Sequence, residues 1–460
     1  MTDSNPAPAN TPAPGPPAAS ERSVISRNRM ALLFAVMLTN AAGNTAMQSV
    51  MPAIGTSLGI EDVWISLAYG WSALLWVICA PIWARRSDQR GRKAMMTLGL
   101  TGFIASMGLC ATILWFGLLG LIPAMWTLLM FAAARGLYGG FGSAAPPAVQ
   151  AYVASRTGRA DRTQALSLIA SSFGLGTVLG PALAPLLVFP GLGLAGPFAA
   201  FAILGVTTLV ALRLFLPNDE PKFPARGAAF DAPYGSGGSG RDPSMVEDDE
   251  LEDNQAAAPA KRLGWREARL RPWVITGLLG GHAQAMALGV SGFLVLDRLD
   301  LRSTPALGTG SIGLVLMSGA IATLLAQWGL IPRLKMGPRA AVLWGCAIAS
   351  VGTVLFGTAQ SLHGIALGYS FASLGFGLFR PGFNSGASLA VTRKEQGQVS
   401  GIVASTNGAA YIVAPATGVW LYSHSDWLAF AVIIGLCLTV LIYGSRSLAA
   451  DEVLDSERLY

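Results

Sequence analysis

The chain has 460 residues, of which 52% are hydrophobic and only 12% are charged. Soluble globular proteins carry about 25% charged residues, so this chain has too little charge to cover a water-facing surface of its size. Together with a mean hydropathy of +0.51, the composition indicates a protein embedded in a lipid bilayer. This composition disfavours a cytosolic enzyme and a secreted disulfide scaffold. A nucleic-acid binder is also disfavoured, because the basic residues lie in short clusters between apolar runs.

The first 28 residues hold six prolines and almost no apolar periodicity, which predicts a disordered Pro-rich cytoplasmic tail over residues 1–28. A membrane-spanning helix needs about 20 mostly apolar residues. About twelve such runs follow, and the fourth is expected to bend or end at Pro146–Pro147. Their predicted ranges are 30–54, 63–84, 94–116, 122–154, 164–188, 194–216, 272–296, 308–332, 341–358, 365–390, 399–421 and 427–446.

A polar stretch at residues 217–271 divides the predicted spans into two sets. It contains a Gly-Ser run at 235–240 and an acidic run at 247–253, and it cannot bury enough apolar surface to fold alone. The predicted domains are an N-terminal six-helix bundle at 29–216, a cytoplasmic acidic linker at 217–271, a C-terminal six-helix bundle at 272–446 and a cytoplasmic tail at 447–460. A regulatory docking role for the linker is the alternative to a solvated connection.

Lysine and arginine residues concentrate in the loops on one side of the predicted spans. The loop after the second span carries five of them between Arg85 and Lys93, whereas loops on the opposite side are nearly bare except for Arg298 and Arg302. Because basic loops stay in the cytoplasm, this side and both termini are predicted to be cytoplasmic. The protein is therefore expected to be a multi-pass protein of the cytoplasmic (inner) membrane.

The two sets of spans resemble each other. A shift of 234 residues places the fifth span on the eleventh, and a shift of 242 places the first on the seventh. Two pseudo-symmetric six-helix bundles are typical of secondary transporters, whose substrate site lies between the halves near the middle of the membrane. The matched pairs are Gly174 with Gly408, Pro181 with Pro415, Asn40 with His282 and, in spans four and ten, Arg135 with Arg380.

In the loop after the second span, Asp88, Gly91, Arg92 and Lys93 resemble the signature of the major facilitator superfamily. The resemblance implies the major facilitator fold: an all-α membrane protein with about twelve transmembrane helices in two pseudo-symmetric six-helix bundles. It also implies that Asp88 latches the halves in the outward-facing state, by pairing with an arginine or a helix N-terminus. A plain cytoplasmic loop would explain the arginines but not the aspartate.

Gly176, Gly180 and Pro181 in the fifth span resemble the Gly-x-x-x-Gly-Pro motif of antiporters within this superfamily. Small residues four apart let helices approach closely, and proline bends a helix at the contact. These three residues are predicted to act in gating together with the loop signature.

Arg135 lies in the middle third of the fourth span, where a charged side chain is costly and indicates function. The run from Arg135 to Gly140 is similar to the Arg-x-x-x-Gly motif of drug:proton antiporters of the tetracycline-efflux type. Arg135, Tyr138, Arg380 and Asn384 are therefore predicted to bind substrate or protons. Snorkelling of Arg135 toward an interface is the alternative.

No acidic residue falls in the middle of a predicted span, so the carboxylate proton carrier of many relatives is missing. His282 is the predicted substitute, because the unperturbed pKa of histidine lies closest to neutral pH; a packing role is the alternative. Asn40, Asn44 and Gln48 share one face of the first span. They are predicted to line the cavity or to hydrogen-bond a neighbouring helix.

The sequence thus predicts a transporter, not an enzyme, that exports drug-like or amphipathic molecules by alternating access, with proton antiport. No cofactor, metal or nucleic-acid partner is predicted. The expected partners are a small-molecule substrate, protons and the bilayer, and the protein is expected to be a monomer. Two alternatives stay open: the same fold moving a sugar, a siderophore-like metabolite or a lipid without proton antiport, and a membrane sensor or scaffold that transports nothing.

Overall fold

The computed structural model describes residues 25–157, 159–218, 263–264, 266–392 and 395–451, and for residues 85, 88, 89, 159–163, 396 and 397 it describes the backbone alone. Most of the predicted N-terminal tail, central linker and C-terminal tail lies outside these residues. The first helix begins at Arg27, so Arg27 and Asn28, which the sequence placed in the tail, are helical.

Within the described ranges the chain forms fourteen α-helices. Short 3-10 turns follow at Gly142–Ala144 and Ala184–Leu187, and a π-helical turn at Leu325–Leu330 continues one helix into the next. The helices are α1 (Arg27–Ser57), α2 (Asp62–Arg90), α3 (Arg92–Leu118), α4 (Ala124–Gly140), α5 (Ala145–Ala154), α6 (Arg159–Leu183), α7 (Gly196–Phe215), α8 (Arg271–Arg298), α9 (Pro305–Leu324), α10 (Ile331–Leu334), α11 (Pro338–Thr358), α12 (Leu362–Leu389), α13 (Gln396–His424) and α14 (Leu428–Ser447).

Ten helical segments of the described chain are long and apolar enough to cross a bilayer. Leu214, Phe215 and Leu307 on their outer faces are more than 70% exposed, as expected for side chains that meet lipid. The two remaining predicted spans are α4 with α5, which are separated by a turn, and α13, in which polar residues such as Asn407 lower the hydropathy. The predicted all-α membrane architecture is confirmed.

The fourth span breaks one turn earlier than the sequence predicts. α4 ends at Gly140 and α5 begins at Ala145, so Pro146 and Pro147 lie in the first turn of α5, where proline is well tolerated. In a continuous helix, Pro146 could not donate to the carbonyl of Gly142, and its ring would clash with that carbonyl. The helix therefore breaks before the prolines.

A single residue, Gly91, joins α2 to α3. Its φ is +87°, in the left-handed region that favours glycine. The opposite end of the bundle contains Arg302, in the connection between α8 and α9. These ends are named the Gly91 end and the Arg302 end.

The two halves use equivalent pairs of helices. α1 packs along α6 as α8 packs along α13, and α3 contacts α7 as α11 contacts α14. At the first contact, a Cβ built on Gly176 would lie 2.6 Å from the Cβ of Ala41, and one built on Gly180 would lie 2.8 Å from the amide nitrogen of Ala46. Such close backbones require residues without side chains, so the Gly-x-x-x-Gly motif joins two helices of the same half.

Replacing Gly180 by alanine should destabilise the protein, because the new Cβ would collide with the backbone of α1. Overpacking of this kind costs about 1–3 kcal/mol, so the thermal unfolding midpoint of the purified protein should fall. The matched control is Gly108→Ala in α3, where no atom lies within 4 Å of the added Cβ. Because alanine favours helix formation, this control should not lower the midpoint; equal midpoints for the two variants would contradict the packing.

Candidate functional site

A cavity of about 50 Å³ lies between the two halves, bounded by α1 and α6 on one side and by α8, α9, α12 and α13 on the other. Such a volume holds a few water molecules, so a drug-sized solute requires the halves to move apart. Apolar side chains share the wall with hydroxyl, amide and aromatic groups. The polar and aromatic lining residues are Thr45, Gln48, Thr177, Gln284, Thr323, Tyr369, Ser373, Phe376 and Tyr411.

The halves approach each other closely toward the Arg302 end. A Cβ built on Gly292 of α8 would lie 2.5 Å from the ring of Pro52 on α1. A Cβ built on Gly313 of α9 would lie 2.6 Å from the carbonyl oxygen of Pro181 on α6. Pro52 and Pro181 lie in the last two turns of α1 and α6, at the Arg302 end, so these contacts close the cavity on that side.

Arg302 links the halves at the closed end by ion pairs. Its guanidinium donates to both carboxylate oxygens of Asp62 at the start of α2, at 2.9 and 2.7 Å, and to Asp297 of its own half at 2.6 Å. Burial acts to lower the pKa of Arg302, but the hydrogen bonds to Asp62 and Asp297 outweigh burial and raise the pKa above its ordinary value. Arg302 is therefore a permanent cation that bridges two carboxylates from different halves.

Arg135 is fully buried inside the first half. Its Nη2 donates to Oδ1 of Asn44 on α1 at 2.7 Å, and its guanidinium carbon lies 4.6 Å from the ring centroid of Tyr138. The hydroxyl of Ser72 on α2 donates to the Arg135 carbonyl at 3.2 Å. The structure thus brings the predicted residues Arg135, Tyr138 and Asn44 together, but places them outside the cavity wall.

The three amide side chains predicted on one face of α1 have three different environments. Asn44 accepts from Arg135, and Gln48 lines the cavity. Asn40 is fully buried, and neither polar atom of its amide has a hydrogen-bond partner. Buried polar groups are almost always paired, so the unpaired amide of Asn40 is uncommon. Of the three side chains, only Gln48 is placed to contact a solute in this conformation.

His282 lies on the face of α8 opposite the cavity. Helical geometry places the lining residues Gln284, Ala287 and Leu288 about 200°, 140° and 240° around the helix from His282. Nδ1 of His282 lies 2.7 Å from the carbonyl of Leu278 and donates to it, which leaves Nε2 as an acceptor in the neutral ring. The structure does not bring His282 to the cavity, and its role in proton transfer stays a prediction.

The predicted residues of span ten lie between α12 and α13. Asn384 accepts a hydrogen bond from Asn407 at 3.0 Å, and Arg380 is 3% exposed. Phe376, one turn from Arg380 on the same helix, and Tyr411, one turn from Asn407, both line the cavity. Arg380 and Asn384 therefore continue a stripe of α12 from the cavity toward the Gly91 end.

The loop signature makes contacts within the first half. Arg92 donates to the hydroxyl of Ser155 after α5, and Lys93 donates to the carbonyls of Arg213, at 3.1 Å, and Leu216 at the end of α7. These contacts tie the start of α3 to two neighbouring helices. The side chain of Asp88 lies outside the described residues, and the predicted latch stays a prediction.

Several cavity residues were not anticipated from the sequence. Gln284, Tyr369 and Ser373 belong to no motif, and nothing in their spacing distinguishes them from packing residues. Tyr411 had a signal, because the shift of 234 residues that pairs Pro181 with Pro415 also pairs Thr177 with Tyr411. Both members of that pair line the cavity.

Two equivalent helix bundles around a polar cavity, closed at one end, define the architecture of a membrane transporter. The model of the Major Facilitator Superfamily matches residues 33–390 and 330–457. The chain belongs to this family. It is accordingly a transporter and not an enzyme, as the sequence predicts.

The chain is similar to known transporters along most of its length. It is 26% identical to the tetracycline resistance protein, class C, of Escherichia coli over 93% of this chain and 99% of the relative. It is 28% identical to the multidrug resistance protein MdtG of Proteus mirabilis over 34% of this chain and 36% of the relative. The solved inward-open xylose transporter XylE of E. coli shares the fold, with a TM-score of 0.64, 13% identity and coverage of 91% of this chain and 98% of XylE.

Removing the ion pair between the halves should weaken closure at the Arg302 end. A partly exposed pair of this kind contributes on the order of 1 kcal/mol after solvent screening, which corresponds to about a fivefold change in population. We expect Asp62→Asn to increase the open population about fivefold. The open population is measured by the distance between two spin labels, on cysteines placed at the exposed residues Ser57 of the first half and Ser303 of the second.

The control for the ion-pair experiment is Asp426→Asn. Asp426 pairs with Arg298 at 3.7 Å inside the second half, so its removal deletes a similar charge without touching the interface between halves. An Asp62→Asn distance distribution that matches the Asp426→Asn distribution would show that Arg302 does not hold the halves together.

Asn44→Ala should destabilise the first half, because it removes an acceptor from a fully buried cation. Hydrogen bonds to charged groups contribute about 1.5–3 kcal/mol. In an Arg135→Met background, the same substitution should cost much less, since no charge remains to be satisfied. Thermal unfolding of the two single variants and the double variant measures this coupling; strictly additive effects would mean that the pair does not stabilise the fold.

Proposed function

We propose that the protein exports amphipathic, drug-like small molecules from the cytoplasm by alternating access, in exchange for protons. The observation that carries the proposal is the cavity between the halves, whose wall combines Phe376, Tyr369 and Tyr411 with hydroxyl and amide groups. Such a wall suits solutes with an apolar body and a few polar groups. The relation to a tetracycline resistance protein along nearly the whole chain supports the same solute class.

The proposed orientation places the Gly91 end in the cytoplasm of a cell with an inner membrane. The Gly91 end carries the basic loops, which favour the cytoplasmic side. At the Arg302 end, the two arginines are matched by carboxylates: Arg302 by Asp62 and Asp297, and Arg298 by Asp426. In this orientation the structure represents a state closed toward the outside.

Proton exchange is supported by the antiporter-like motif of Gly176, Gly180 and Pro181 in α6. No carboxylate lies in the wall of the cavity as the described residues form it. A proton-coupled carrier must bind and release protons during its cycle, so coupling has to be measured separately from solute movement.

Expression in a bacterial strain that lacks its own efflux pumps tests export. We expect at least a fourfold rise in the tetracycline or ethidium concentration that stops growth. The inactive control is Gly70→Leu, because its side chain would meet the Ile412 carbonyl on α13 of the other half and block closure. Equal tolerance of cells with wild type, Gly70→Leu or empty vector to both compounds would contradict export of this solute class.

Reconstituted vesicles with an imposed pH gradient test the coupling. If the exchange is correct, adding tetracycline or ethidium triggers proton movement, reported by a pH-sensitive dye inside wild-type vesicles but not inside Gly70→Leu vesicles. Solute flux without proton movement would refute the antiport and leave the uncoupled transporter. Wild-type vesicles that move neither solute nor protons would refute transport of these compounds.

A further inference from the structure

Arg380 is a buried cation with no hydrogen-bond or ion-pair partner in the part of the chain that the structure describes. It is 3% exposed, and its Nε and Nη1 atoms are buried without a hydrogen-bond partner. No ion pair or hydrogen bond joins its guanidinium to any other residue that the structure describes. A charge in the middle of a membrane protein is costly unless it is paired, so Arg380 requires a partner that the described residues do not supply.

The equivalent arginine of the first half has a hydrogen-bond acceptor for one of its three guanidinium nitrogens, while its Nε and Nη1 have none among the described residues, as in Arg380. Arg135, in the matching span, donates to Asn44 at 2.7 Å and lies over the ring of Tyr138. In the described part of the second half, the amide of Asn384, one turn along α12 from Arg380, accepts from Asn407, and no hydrogen bond joins it to Arg380. Among the described contacts, Arg135 therefore has an acceptor from a neighbouring helix and Arg380 has none.

Arg380 lies outside the cavity wall, next in the helix to residues that line it. Phe376 lies one turn before Arg380 on α12 and lines the cavity, as does Ser373 a turn further. The phenol of Tyr411 on α13 also lines the cavity and interacts electrostatically with Arg380. A molecule in the cavity has aromatic and hydroxyl groups beside it, and one that extends a turn of α12 toward the Gly91 end would reach the guanidinium of Arg380.

Carboxylates of the described chain do not reach this site. The described acidic side chains lie at the ends of the bundle, such as Asp62, Asp297 and Asp426 at the Arg302 end and Glu395 and Asp451 at the Gly91 end. Each of these five also has a cationic or backbone partner of its own. The described carboxylates therefore leave the guanidinium of Arg380 without an anionic partner.

We propose that Arg380 binds the anionic group of the transported solute, and that the substrates include aromatic organic anions with a carboxylate or sulfonate. The guanidinium fork matches the two oxygens of such a group, while Phe376 and Tyr411 contact the aromatic body. This inference rests on the proposed export function for its biological meaning, but the binding site itself can be tested without transport.

The test uses the purified full chain in nanodiscs of phosphatidylcholine, which carries no net charge. The probes are 2-naphthoate and its neutral counterpart 2-naphthamide, and the measurement is the thermal unfolding midpoint as each probe is titrated. We expect 2-naphthoate to raise the midpoint of the wild type and 2-naphthamide to bind at least tenfold more weakly. Arg380→Gln should lose this preference, whereas Arg213→Gln, which removes an exposed arginine, should keep it.

The unfolding midpoint without any probe provides a second measurement. Because the fold does not satisfy Arg380, Arg380→Gln should not lower the midpoint, in contrast to Asn44→Ala at the partnered arginine. A drop in Arg380→Gln as large as that in Asn44→Ala would show that a protein group already pairs with Arg380, and would overturn the proposal. Equal binding of 2-naphthoate by wild type and Arg380→Gln would overturn it as well.

Two other anion sources have their own outcomes. If phosphatidylglycerol or chloride raises the wild-type midpoint through Arg380 while 2-naphthoate does not, the partner is a lipid headgroup or an inorganic ion, and the solute proposal is wrong. Arg380-dependent binding of 2-naphthoate without export in cells or vesicles would instead refute the proposed function and leave the anion site standing. Export of tetracycline or ethidium with no Arg380-dependent binding of 2-naphthoate would refute the anion site and leave the proposed function standing.

Discussion

Helices surrounded by lipid gain almost nothing from the hydrophobic effect when they pack together, because the acyl chains are as apolar as the side chains they replace. Their association must come from close backbone contact and from polar groups. Within each half, glycines let helix backbones approach closely, as at Gly99 against the backbone of Ala145 and at Gly375 against the amide of Ala349. These contacts make each six-span bundle a compact unit.

The interface between the bundles is built differently. Pro52 meets Gly292 and Pro181 meets Gly313 toward the Arg302 end, and Arg302 adds a charged link there. Two compact units joined near one end can rotate against each other without repacking their interiors. The same physical limit on helix association that fixes the bundles therefore leaves their relative position adjustable, which alternating access requires.

The sequence predicted the spans well because a bilayer imposes a fixed length of apolar chain. It was less accurate where structure depends on backbone chemistry or on neighbours. α2 continues to Arg90, beyond the apolar run, because polar residues at a membrane surface can stay helical. The break of the fourth span precedes Pro146 because proline disrupts the turn before it. α13 is less apolar than the other spans because residues such as Asn407 face partners inside the bundle rather than lipid.

The candidate site was predicted less completely, for a related reason. Spacing along one helix shows which residues share a face but not which helix covers that face. Asn44 and Gln48 were grouped correctly on α1, yet one meets Arg135 and the other meets the cavity. His282 is turned away from a cavity that Gln284, two residues later, lines. A polar residue in a span indicates that a partner is needed, but only the packed structure shows where that partner lies.

The unequal arginines of the two halves bear on the transport cycle itself. Arg135 keeps its partner Asn44 inside one half, so rotation of the halves leaves its energy unchanged. If Arg380 binds the anionic group of the solute as proposed, an empty carrier retains an unsatisfied buried charge while a carrier loaded with an anion does not. The barrier to rotation need not therefore be the same with and without solute. A carrier whose halves rotate slowly when it is empty exchanges one solute for another instead of returning without one. On the proposal made for Arg380, the cation that binds the solute also slows rotation of the empty carrier.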